Sequence, residues 1–348
     1  MIHMKPQINN LVFLTGSTGL LGGHLIIRLY QSGRKIRALI RPTSTFSQLQ
    51  LICTFYDQSF EELYQSVEWV IGDTLDFVGL CDYLKDVDEV YHCAAVVSFN
   101  SRDDKELLRT NIQGTSNMVD AALKCSVKSF CFISSIGALG AVKNGGIVHE
   151  KSPWKTDGKT SAYSKSKFLS ELEVWRAQNE GLNTVIVNPG IILGPGSPNK
   201  GSLLLFQAGR KGMPFYTKAK TGYVDVRDVC KAATELVEKE IYGKRFILVS
   251  ENVDNRELFT LIASAFNVRP PRFEAGIVLL TLGAFSSIIY GAITGKTPQL
   301  TKETVRSVQK TQIYSNQLIK STLNIDFIPL KQTIQDTALF LKNQKTDC

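Results

Sequence analysis

The sequence predicts an α/β fold in which a doubly wound parallel sheet is followed by a smaller, mostly helical C-terminal domain. Short apolar runs alternate with longer amphipathic stretches such as residues 19–33 and 103–125, the pattern of strands alternating with helices. The short runs are apolar on both faces, as expected for parallel strands covered by helices on each side. These predicted strands are residues 11–15, 35–40, 68–72, 88–95, 129–135 and 183–189.

The domain division follows from the loss of this alternation after Pro189. Residues 190–202 are rich in glycine and proline and therefore predict a loop. Strand and helix signals return within residues 222–250, and the rest of the chain is mostly helical in pattern. The predicted first domain therefore comprises residues 1–189 with the return segment 222–250, and the second comprises residues 190–221 and 251–348.

Composition and charge exclude several classes of protein. The 348 residues suffice for about two domains. A hydrophobic fraction of 43% with 21% charged residues excludes a disordered chain, a collagen-like repeat and a small disulfide scaffold. The net charge of +8 is dispersed along the chain without a run of five like charges, so we expect no nucleic-acid partner.

Cysteine and histidine usage indicates the setting and argues against a metal site. The 7 cysteines are odd in number and form no Cys-x-x-Cys pair, which favours a reducing, cytoplasmic setting over a disulfide framework. The 4 histidines show no metal-ligand spacing, so no metal is expected.

Residues 275–294 form a long uncharged segment that needs separate interpretation. The segment has the length of one membrane span, but it is only moderately apolar and carries basic residues beyond both ends. We favour a buried or pocket-covering helix, with peripheral contact to a membrane as the alternative.

A glycine-rich segment, Thr15–Gly22 with the sequence TGSTGLLG, follows the first predicted strand directly. A helix is predicted to open near Leu20. Glycine permits a positive φ and lets the backbone approach a pyrophosphate, and the last glycine lets the helix pack closely against the sheet. The helix N-terminus then offers unpaired N–H groups to phosphates. The first domain is therefore predicted to bind a dinucleotide.

Arg41 lies at the end of the second predicted strand, about 20 residues further on, where such folds meet the adenosine ribose. An acid at this position would accept hydrogen bonds from both ribose hydroxyls and favour NAD. A guanidinium instead suits a 2′-phosphate. The residue favours NADP(H), with NAD(H) as the alternative.

Reactive side chains are predicted after a later strand and at the start of a helix. Tyr163 and Lys167 stand at positions i and i+4, so both project from one helix face. An ammonium near a phenol lowers the tyrosine pKa, and the phenol can then exchange a proton with a carbonyl or alcohol oxygen. Ser134 and Ser135 end a predicted central strand, where a hydroxyl can hydrogen-bond the reacting oxygen.

These motifs together resemble the extended short-chain dehydrogenase/reductase superfamily, also described as NAD-dependent epimerases and dehydratases. Within it, the chain looks most like the dihydroflavonol 4-reductase and 3β-hydroxysteroid dehydrogenase branch, and the resemblance implies a Rossmann fold. The matching text comprises Thr15–Gly22, Gly72-Asp73, His92–Ala95, Asn111, Ser134-Ser135, Tyr163–Lys167, Asn188–Gly190 and residues 223–228.

The resemblance implies a role for individual catalytic residues. Tyr163 would be the proton donor or acceptor, Lys167 would bind the nicotinamide ribose and tune Tyr163, and Ser135 would position the substrate oxygen. Asn111 would belong to the supporting hydrogen-bond network, with a purely structural amide as the alternative. His92 is interpreted as a packed strand residue.

The resemblance also implies a cofactor site. Asp73 would meet the adenine amino group, with a helix cap as the alternative role, and the residues from Pro189 to Ile191 would line the nicotinamide. The full implied set is Gly16, Thr18, Gly19, Leu20, Leu21, Gly22, Arg41, Asp73, Thr74, Ala94, Ala95, Val96, Tyr163, Lys167, Pro189, Gly190 and Ile191.

The expected function is an NADP(H)-dependent oxidoreductase that interconverts a ketone or aldehyde and an alcohol on a fairly apolar small molecule. One alternative is a nucleotide-sugar epimerase or dehydratase with tightly bound NAD. A second alternative is an NADP(H)-sensing protein without turnover. The resemblance also implies a homodimer formed through two helices of the first domain.

Overall fold

The computed structural model describes residues 11–98, 100–142, 146–154, 160–276 and 311–344. Most of the uncharged segment 275–294, and with it the predicted helix, lies outside these residues. Within the described ranges, none of the helices has the length and apolarity required to cross a membrane.

The strands and helices are numbered here in chain order. The strands are β1 (Leu11–Thr15), β2 (Lys35–Ile40), β3 (Val67–Ile71), β4 (Glu89–His92), β5 (Ser129–Ile133), β6 (Ile147–Val148), β7 (Asn183–Pro189), β8 (Ile191–Leu193), β9 (Phe215–Tyr216), β10 (Lys220–Asp225), β11 (Lys244–Leu248), β12 (Glu251–Asp254), β13 (Phe273–Glu274) and β14 (Ile313–Tyr314). The helices are α1 (Leu20–Gln31), α2 (Ser47–Phe55), α3 (Phe60–Ser66), α4 (Phe77–Tyr83), α5 (Asp104–Leu108), α6 (Gly114–Lys124), α7 (Ala162–Asn179), α8 (Leu203–Arg210), α9 (Val226–Glu238), α10 (Asn255–Ala265), α11 (Gln317–Leu323) and α12 (Leu330–Asn343).

The described residues contain a seven-stranded parallel sheet in the order β3-β2-β1-β4-β5-β7-β11. The chain runs outward from β1 to β3 and then returns to place β4 on the other side of β1. The crevice between the carboxyl ends of β1 and β4 is the switch point at which open α/β sheets bind ligands. The predicted doubly wound parallel sheet is confirmed.

Helices cover both faces of this sheet, as the apolar strand sequences predicted. In β1, Val12 and Leu14 pack in a buried cluster with α1, α2, α9 and α11. Phe13, between them, points to the opposite face and packs with α4, α6 and α7. Both faces of β1 are buried because helices cover the sheet on each side.

A second, smaller layer lies beside the carboxyl edge of the main sheet. Strand β10 pairs in parallel with β8 and antiparallel with β12, and a separate apolar core forms with α8, α10 and α12. Within the predicted return segment 222–250, α9 and β11 pack with the main sheet, whereas most of β10 belongs to this second sheet. The segment 222–250 therefore contributes to both sheets.

The predicted strand boundaries match the structure in three strands and differ by a few residues in the others. Strands β1, β2 and β7 have their predicted bounds, but β4 ends at His92 and β5 ends at Ile133, before the predicted 95 and 135. The predicted helix 103–125 is divided into α5 and α6 by a wider π-helical turn, which contains the buried Asn111. Each departure lies where the backbone leaves regular structure to form the site described next.

Candidate active site

Gly16 brings the loop after β1 against the loop after β4. Its φ is +74°, a conformation that favours glycine. A Cβ at this position would lie 2.8 Å from the backbone nitrogen of Ala94 and 2.9 Å from the carbonyl carbon of Cys93. Both the conformation and the close approach therefore require glycine at the switch point.

The other two glycines form the turn that leads into α1. The backbone N–H of Gly19 donates to the carbonyl oxygen of Gly16 at 2.9 Å. A Cβ on Gly22 would lie 2.1 Å from the same carbonyl oxygen. Gly22 therefore lets α1 approach the backbone that directly follows β1.

The first turn of α1 has no side-chain cap. Gly19 is its N-cap residue and supplies no side-chain hydrogen bond, and the turn contains no acidic residue. The start of α1 therefore keeps unpaired N–H groups and its partial positive charge beside a backbone cradle that a Cβ would fill. These features fit a dinucleotide diphosphate. Around the turn, Thr18, Leu20 and Leu21 are each half-buried.

Arg41 and Asp73 lie at the exposed ends of neighbouring strands. Arg41 follows β2 in a tight turn, in which its N–H donates to the Ser44 hydroxyl at 3.0 Å. The Asp73 carboxylate accepts the Leu75 N–H at 2.9 Å. The alternative role of Asp73 as a helix cap is wrong, because Asp76 caps α4. The neighbouring Thr74 is buried.

Asn111 clamps the loop that follows β4. Its side-chain oxygen accepts the Val96 N–H at 2.7 Å, and its amide donates to the Val96 carbonyl at 3.0 Å. The same amide donates to the Ser166 hydroxyl on α7 at 2.9 Å. Asn111 thereby ties the predicted cofactor-lining residues Ala94, Ala95 and Val96 to the helix that carries Tyr163.

Ser135, Tyr163 and Lys167 meet at the carboxyl end of β5. The Ser135 hydroxyl is hydrogen-bonded to the Tyr163 phenol and accepts the Gly137 N–H at 3.0 Å. One turn further along α7, the Lys167 ammonium donates to the Ile133 carbonyl at 2.7 Å. Ser161 caps α7 by accepting the Ser164 N–H, which fixes the turn that presents Tyr163.

The predicted nicotinamide-lining residues lie between the two sheets. The Gly190 N–H donates to the Leu248 carbonyl at 2.9 Å, and a Cβ on Gly190 would lie 2.5 Å from the Gly222 carbonyl oxygen. Pro189 ends β7 in the main sheet, whereas Ile191 begins β8 in the second. Gly190 is therefore the point at which the chain passes from one layer to the other.

Residues 14–239 match the NAD-binding family model described as "Male sterility protein". The chain belongs to this family. It is an extended short-chain dehydrogenase/reductase, as the sequence motifs indicated.

Two curated relatives cover most of this chain. A Synechocystis protein named "Putative dihydroflavonol 4-reductase" is 26% identical over 339 residues, which span 95% of this chain and 94% of the relative. Sterol demethylase protein B of Methylococcus capsulatus is 29% identical over 280 residues, which span 77% of this chain and 80% of the relative.

Solved structures share the fold over nearly the whole chain. The crystal structure of gox2253 has a TM-score of 0.79 at 27% identity and covers 96% of this chain and 98% of its own. The Thermotoga maritima UDP-glucose 4-epimerase has a TM-score of 0.74 at 18% identity, with 96% and 99% covered. The second likeness concerns the fold alone.

Burial is the largest influence on the pKa values of Tyr163 and Lys167. Desolvation raises the pKa of Tyr163, while its hydrogen bond with Ser135 opposes that rise. Desolvation lowers the pKa of Lys167 to about 8. The expected lowering of the tyrosine pKa is therefore opposed by burial in this structure.

His92 is a packed residue of this dehydrogenase fold, as interpreted from the sequence. Its ring nitrogens hydrogen-bond the hydroxyls of Thr15 and Thr115, and burial lowers its pKa to about 3. The ring lies stacked against Phe132. His92 is neutral at physiological pH and acts by joining β4 to β1 and α6.

Sequence reasoning missed Glu171, Asn188 and Arg245 as contributors to the site. Glu171 occupies the next turn of the Tyr163–Lys167 face, so helical periodicity could have indicated it. Asn188 was noticed only as part of a motif. Arg245 contacts Glu171 from β11, 74 residues away in sequence, and no local signal indicates that pairing.

Proposed function

We propose that the protein is an NADP(H)-dependent oxidoreductase that interconverts a ketone or aldehyde and an alcohol on a fairly apolar small molecule. The observation that carries this proposal is the hydrogen bond between Ser135 and Tyr163, with Lys167 one turn further on. Two hydroxyls at the end of a central strand can bind one substrate oxygen, and one of them can transfer a proton to it.

The chain's own residues would bind, orient and exchange a proton. A bound nicotinamide supplies or accepts the hydride at the carbon next to the reacting oxygen. During reduction, the Ser135 hydroxyl donates a hydrogen bond to the carbonyl oxygen and the Tyr163 phenol donates its proton to that oxygen. During oxidation, Tyr163 takes the alcohol proton. Lys167 supplies a positive charge that favours the phenolate form of Tyr163.

Arg41 supports NADP(H) over NAD(H) as the cofactor. Its side chain is exposed directly after β2, at the edge of the sheet that receives the adenosine ribose in such folds. Among the described residues, its guanidinium has no hydrogen-bond or ion-pair partner, so its donors remain available to a 2′-phosphate.

The apolar character of the substrate is supported by exposed apolar side chains in the segments that follow the parallel strands. Val97 follows β4, Ile147 lies in β6, and Leu204 lies on α8, with exposed fractions of 61%, 57% and 53%. Exposed apolar side chains in such segments favour an apolar ligand. The two curated relatives carry the names of a flavonoid-type reductase and a sterol-modifying protein.

A carbonyl panel tests the proposal. Purified protein is mixed with NADPH or NADH and with ketones and aldehydes of increasing apolar size, and cofactor oxidation is followed by absorbance. We expect NADPH oxidation that depends on the carbonyl and is lost in Tyr163→Phe. Failure of every carbonyl, together with epimerisation of UDP-glucose without net redox, would instead identify a sugar-nucleotide epimerase. Cofactor binding without any turnover would identify a sensor.

Cofactor preference has its own variant. Arg41→Ala should weaken NADPH binding by about ten- to a hundredfold, because a charge-assisted hydrogen bond contributes about 1.5–3 kcal/mol. NADH binding should change little, since NADH lacks the 2′-phosphate. Equal losses for both cofactors would contradict the assignment of Arg41. Fluorescence titration of the two reduced cofactors measures both values.

A further inference from the structure

Glu171 extends the reactive face of α7 by one more turn into the protein core. It follows Tyr163 by eight residues and Lys167 by four, and it is only 1% exposed. Among the described residues, three side chains donate hydrogen bonds to its carboxylate. They are the Ser134 hydroxyl at 2.5 Å, the Asn188 amide at 2.5 Å and the Arg245 guanidinium at 2.9 Å.

These contacts fix the direction of the Ser135 side chain. Successive side chains of an extended segment point to opposite sides, and Ser135 is extended, with φ −162° and ψ 153°. Because Glu171 holds the Ser134 hydroxyl in the core, the Ser135 hydroxyl points away from Glu171, and there it meets the Tyr163 phenol, two turns earlier on α7. The two adjacent serines therefore have different partners: Glu171 for the first and Tyr163 for the second.

The backbone is held at the same place. Lys167 donates to the carbonyl of Ile133, and Asn188 donates to the carbonyl of Ser135 at 2.9 Å. The Asn188 amide that binds Ser135 is the same group that binds Glu171. Residues 133, 134 and 135 are thus each held by a different side chain. Glu171 makes the contact to Ser134 and also binds Asn188, which holds Ser135.

Glu171 contributes charge to the site as its carboxylate. Burial raises the pKa of Glu171, and its contacts with Arg245, Ser134 and Asn188 oppose that rise. The groups that act on the Lys167 ammonium are Glu171 and the Cys93 thiol after β4, and both oppose the lowering of its pKa by burial. Arg245 compensates the Glu171 carboxylate from β11. Loss of the Glu171 charge would therefore make Lys167 easier to deprotonate and weaken its support for the Tyr163 phenolate.

We infer that Glu171 is a positioning residue of the reaction, which sets the face on which Ser135 presents its hydroxyl and the charge of the neighbouring Lys167. The inference rests on the proposed function, in which Ser135 and Tyr163 share the substrate oxygen. Glu171 touches neither substrate nor cofactor and acts only through Ser134, Asn188 and Lys167.

The variant Glu171→Gln keeps the shape of the side chain and tests the inference. Its amide NH₂ would face one of three donors, so at least one hydrogen bond is lost. With NADPH and the carbonyl that the wild type reduces fastest, kcat should fall by about ten- to a hundredfold through misplacement of Ser135. The KM for NADPH should stay within about twofold, because the variant leaves the α1 turn intact. The matched control is Glu173→Gln, which neutralises a half-buried acid on the same helix that pairs with Arg176 instead of Ser134, and it should leave kcat unchanged.

A pH profile separates positioning from simple loss of folded protein. In alcohol oxidation Tyr163 must be ionised, so the rate rises with pH through its apparent pKa. Loss of the Ser135 hydrogen bond and loss of the Lys167 charge would both raise the pKa of Tyr163. The rise of the oxidation rate with pH should therefore occur at higher pH in Glu171→Gln than in wild type. The inference would be overturned if the rate fell but still rose with pH in the same range as wild type, or if kcat of Glu171→Gln equalled that of Glu173→Gln.

Two further measurements keep the test decisive. If Glu171→Gln does not fold, Ser134→Ala removes one hydrogen bond, leaves the carboxylate in place and should still lower kcat with an unchanged KM for NADPH.

If the wild type reduces no carbonyl, the proposed function fails by itself. The tyrosinate absorbance of each protein minus its Tyr163→Phe counterpart then reports the Tyr163 pKa directly, and an equal value in wild type and Glu171→Gln would overturn the role of Glu171.

Discussion

The starts of α1 and α7 face the same edge of the sheet but are built in opposite ways. At α1 the N-cap is Gly19, which supplies no side-chain hydrogen bond. At α7 the N-cap is Ser161, whose hydroxyl accepts the Ser164 N–H at 3.1 Å. The first helix has no side chain on its backbone donors, whereas the second has one of them capped by Ser161. Under the proposed function, the start of α1 would bind the cofactor diphosphate and the start of α7 would carry the proton donor.

This division has an energetic consequence. A serine cap stabilises a helix by about 1 kcal/mol, so α1 lacks a contribution that α7 has. A bound diphosphate supplies the missing partners and stabilises the folded state by mass action. We therefore expect variants at the two helix starts to affect different measurements.

The largest expected effect belongs to the α7 side. Tyr163→Phe removes the proton donor but keeps the ring, so kcat should fall by about 10²–10⁴-fold. Binding of NADPH should remain within about twofold of wild type, because the substitution leaves the Gly16–Gly22 turn and the start of α1 unchanged. Stopped-flow turnover and fluorescence titration provide the two numbers. A parallel loss of binding would remove the distinction between the two helix starts.

On the α1 side, adjacent glycines provide a matched pair. A Cβ at Gly22 would meet the Gly16 backbone at 2.1 Å, so Gly22→Ala must displace the turn and should weaken NADPH binding about a hundredfold. A Cβ at Gly23 would instead approach the Cδ1 of Ile52, a flexible side-chain end, at 2.7 Å. Gly23→Ala should bind NADPH almost as wild type does. Equal effects in the two variants would show that the turn geometry does not govern binding.

Acid should destabilise the α1 region through His24. The ring of His24 binds the Tyr56 hydroxyl and the Pro195 carbonyl, and burial lowers its pKa from 6.5 to about 4. The unfolded chain therefore takes up the proton first, and stability falls as the pH drops from 6.5 toward 4. Between pH 6.5 and about 5 the unfolding free energy should decrease by about 1.5 kcal/mol for this histidine.

Urea denaturation at several pH values measures that slope. His92, with its pKa lowered to about 3, adds a decrease of the same sign. The Asp228 carboxyl, whose pKa burial raises to about 6, contributes a change of the opposite sign, because the folded chain takes up its proton first. His24→Gln should therefore remove about 1.5 kcal/mol of the decrease, which is about half of what the two histidines contribute. A slope that is unchanged in His24→Gln would contradict a neutral, buried His24.

The smallest expected effect is loss of the α7 cap. Ser161→Ala should lower the unfolding free energy by about 1 kcal/mol, whereas Ser161→Asn retains an acceptor and should be nearly neutral. Chemical denaturation of the three proteins checks this order. Similar stabilities for the alanine and asparagine variants would show that the Ser161 hydroxyl does not stabilise α7.

Much of the fold followed from local sequence patterns. Strands β1, β2 and β7 have their predicted bounds because each is a short apolar run followed by a change in chain direction. The start of α1 at Leu20 was also predicted, from the glycines that precede it. These features depend on residues adjacent in sequence, so a single sequence contains the information.

The site was predictable only in part, because its support is long-range. The pair Tyr163 and Lys167 is local to α7, and its partner Ser135 was indicated by its position after a strand. The clamp from Asn111 to Val96 spans 15 residues, and the bond from Arg245 to Glu171 spans 74. Periodicity cannot detect such contacts. The sequence also does not show that burial raises the pKa of Tyr163, which the nearby Lys167 charge alone would lower.

Transfer of isotope from the cofactor to a product tests the central claim most directly. The protein is incubated with the carbonyl panel and with NADPH that carries deuterium at the hydride position. The masses of the product alcohols are then measured by mass spectrometry. We predict that a product alcohol gains one deuterium in wild type and in Glu173→Gln, and that Tyr163→Phe forms at least about a hundredfold less of it in the same time. The absence of deuterium in every product of the wild type, with epimerised UDP-glucose in the same mixture, would contradict the proposed oxidoreductase.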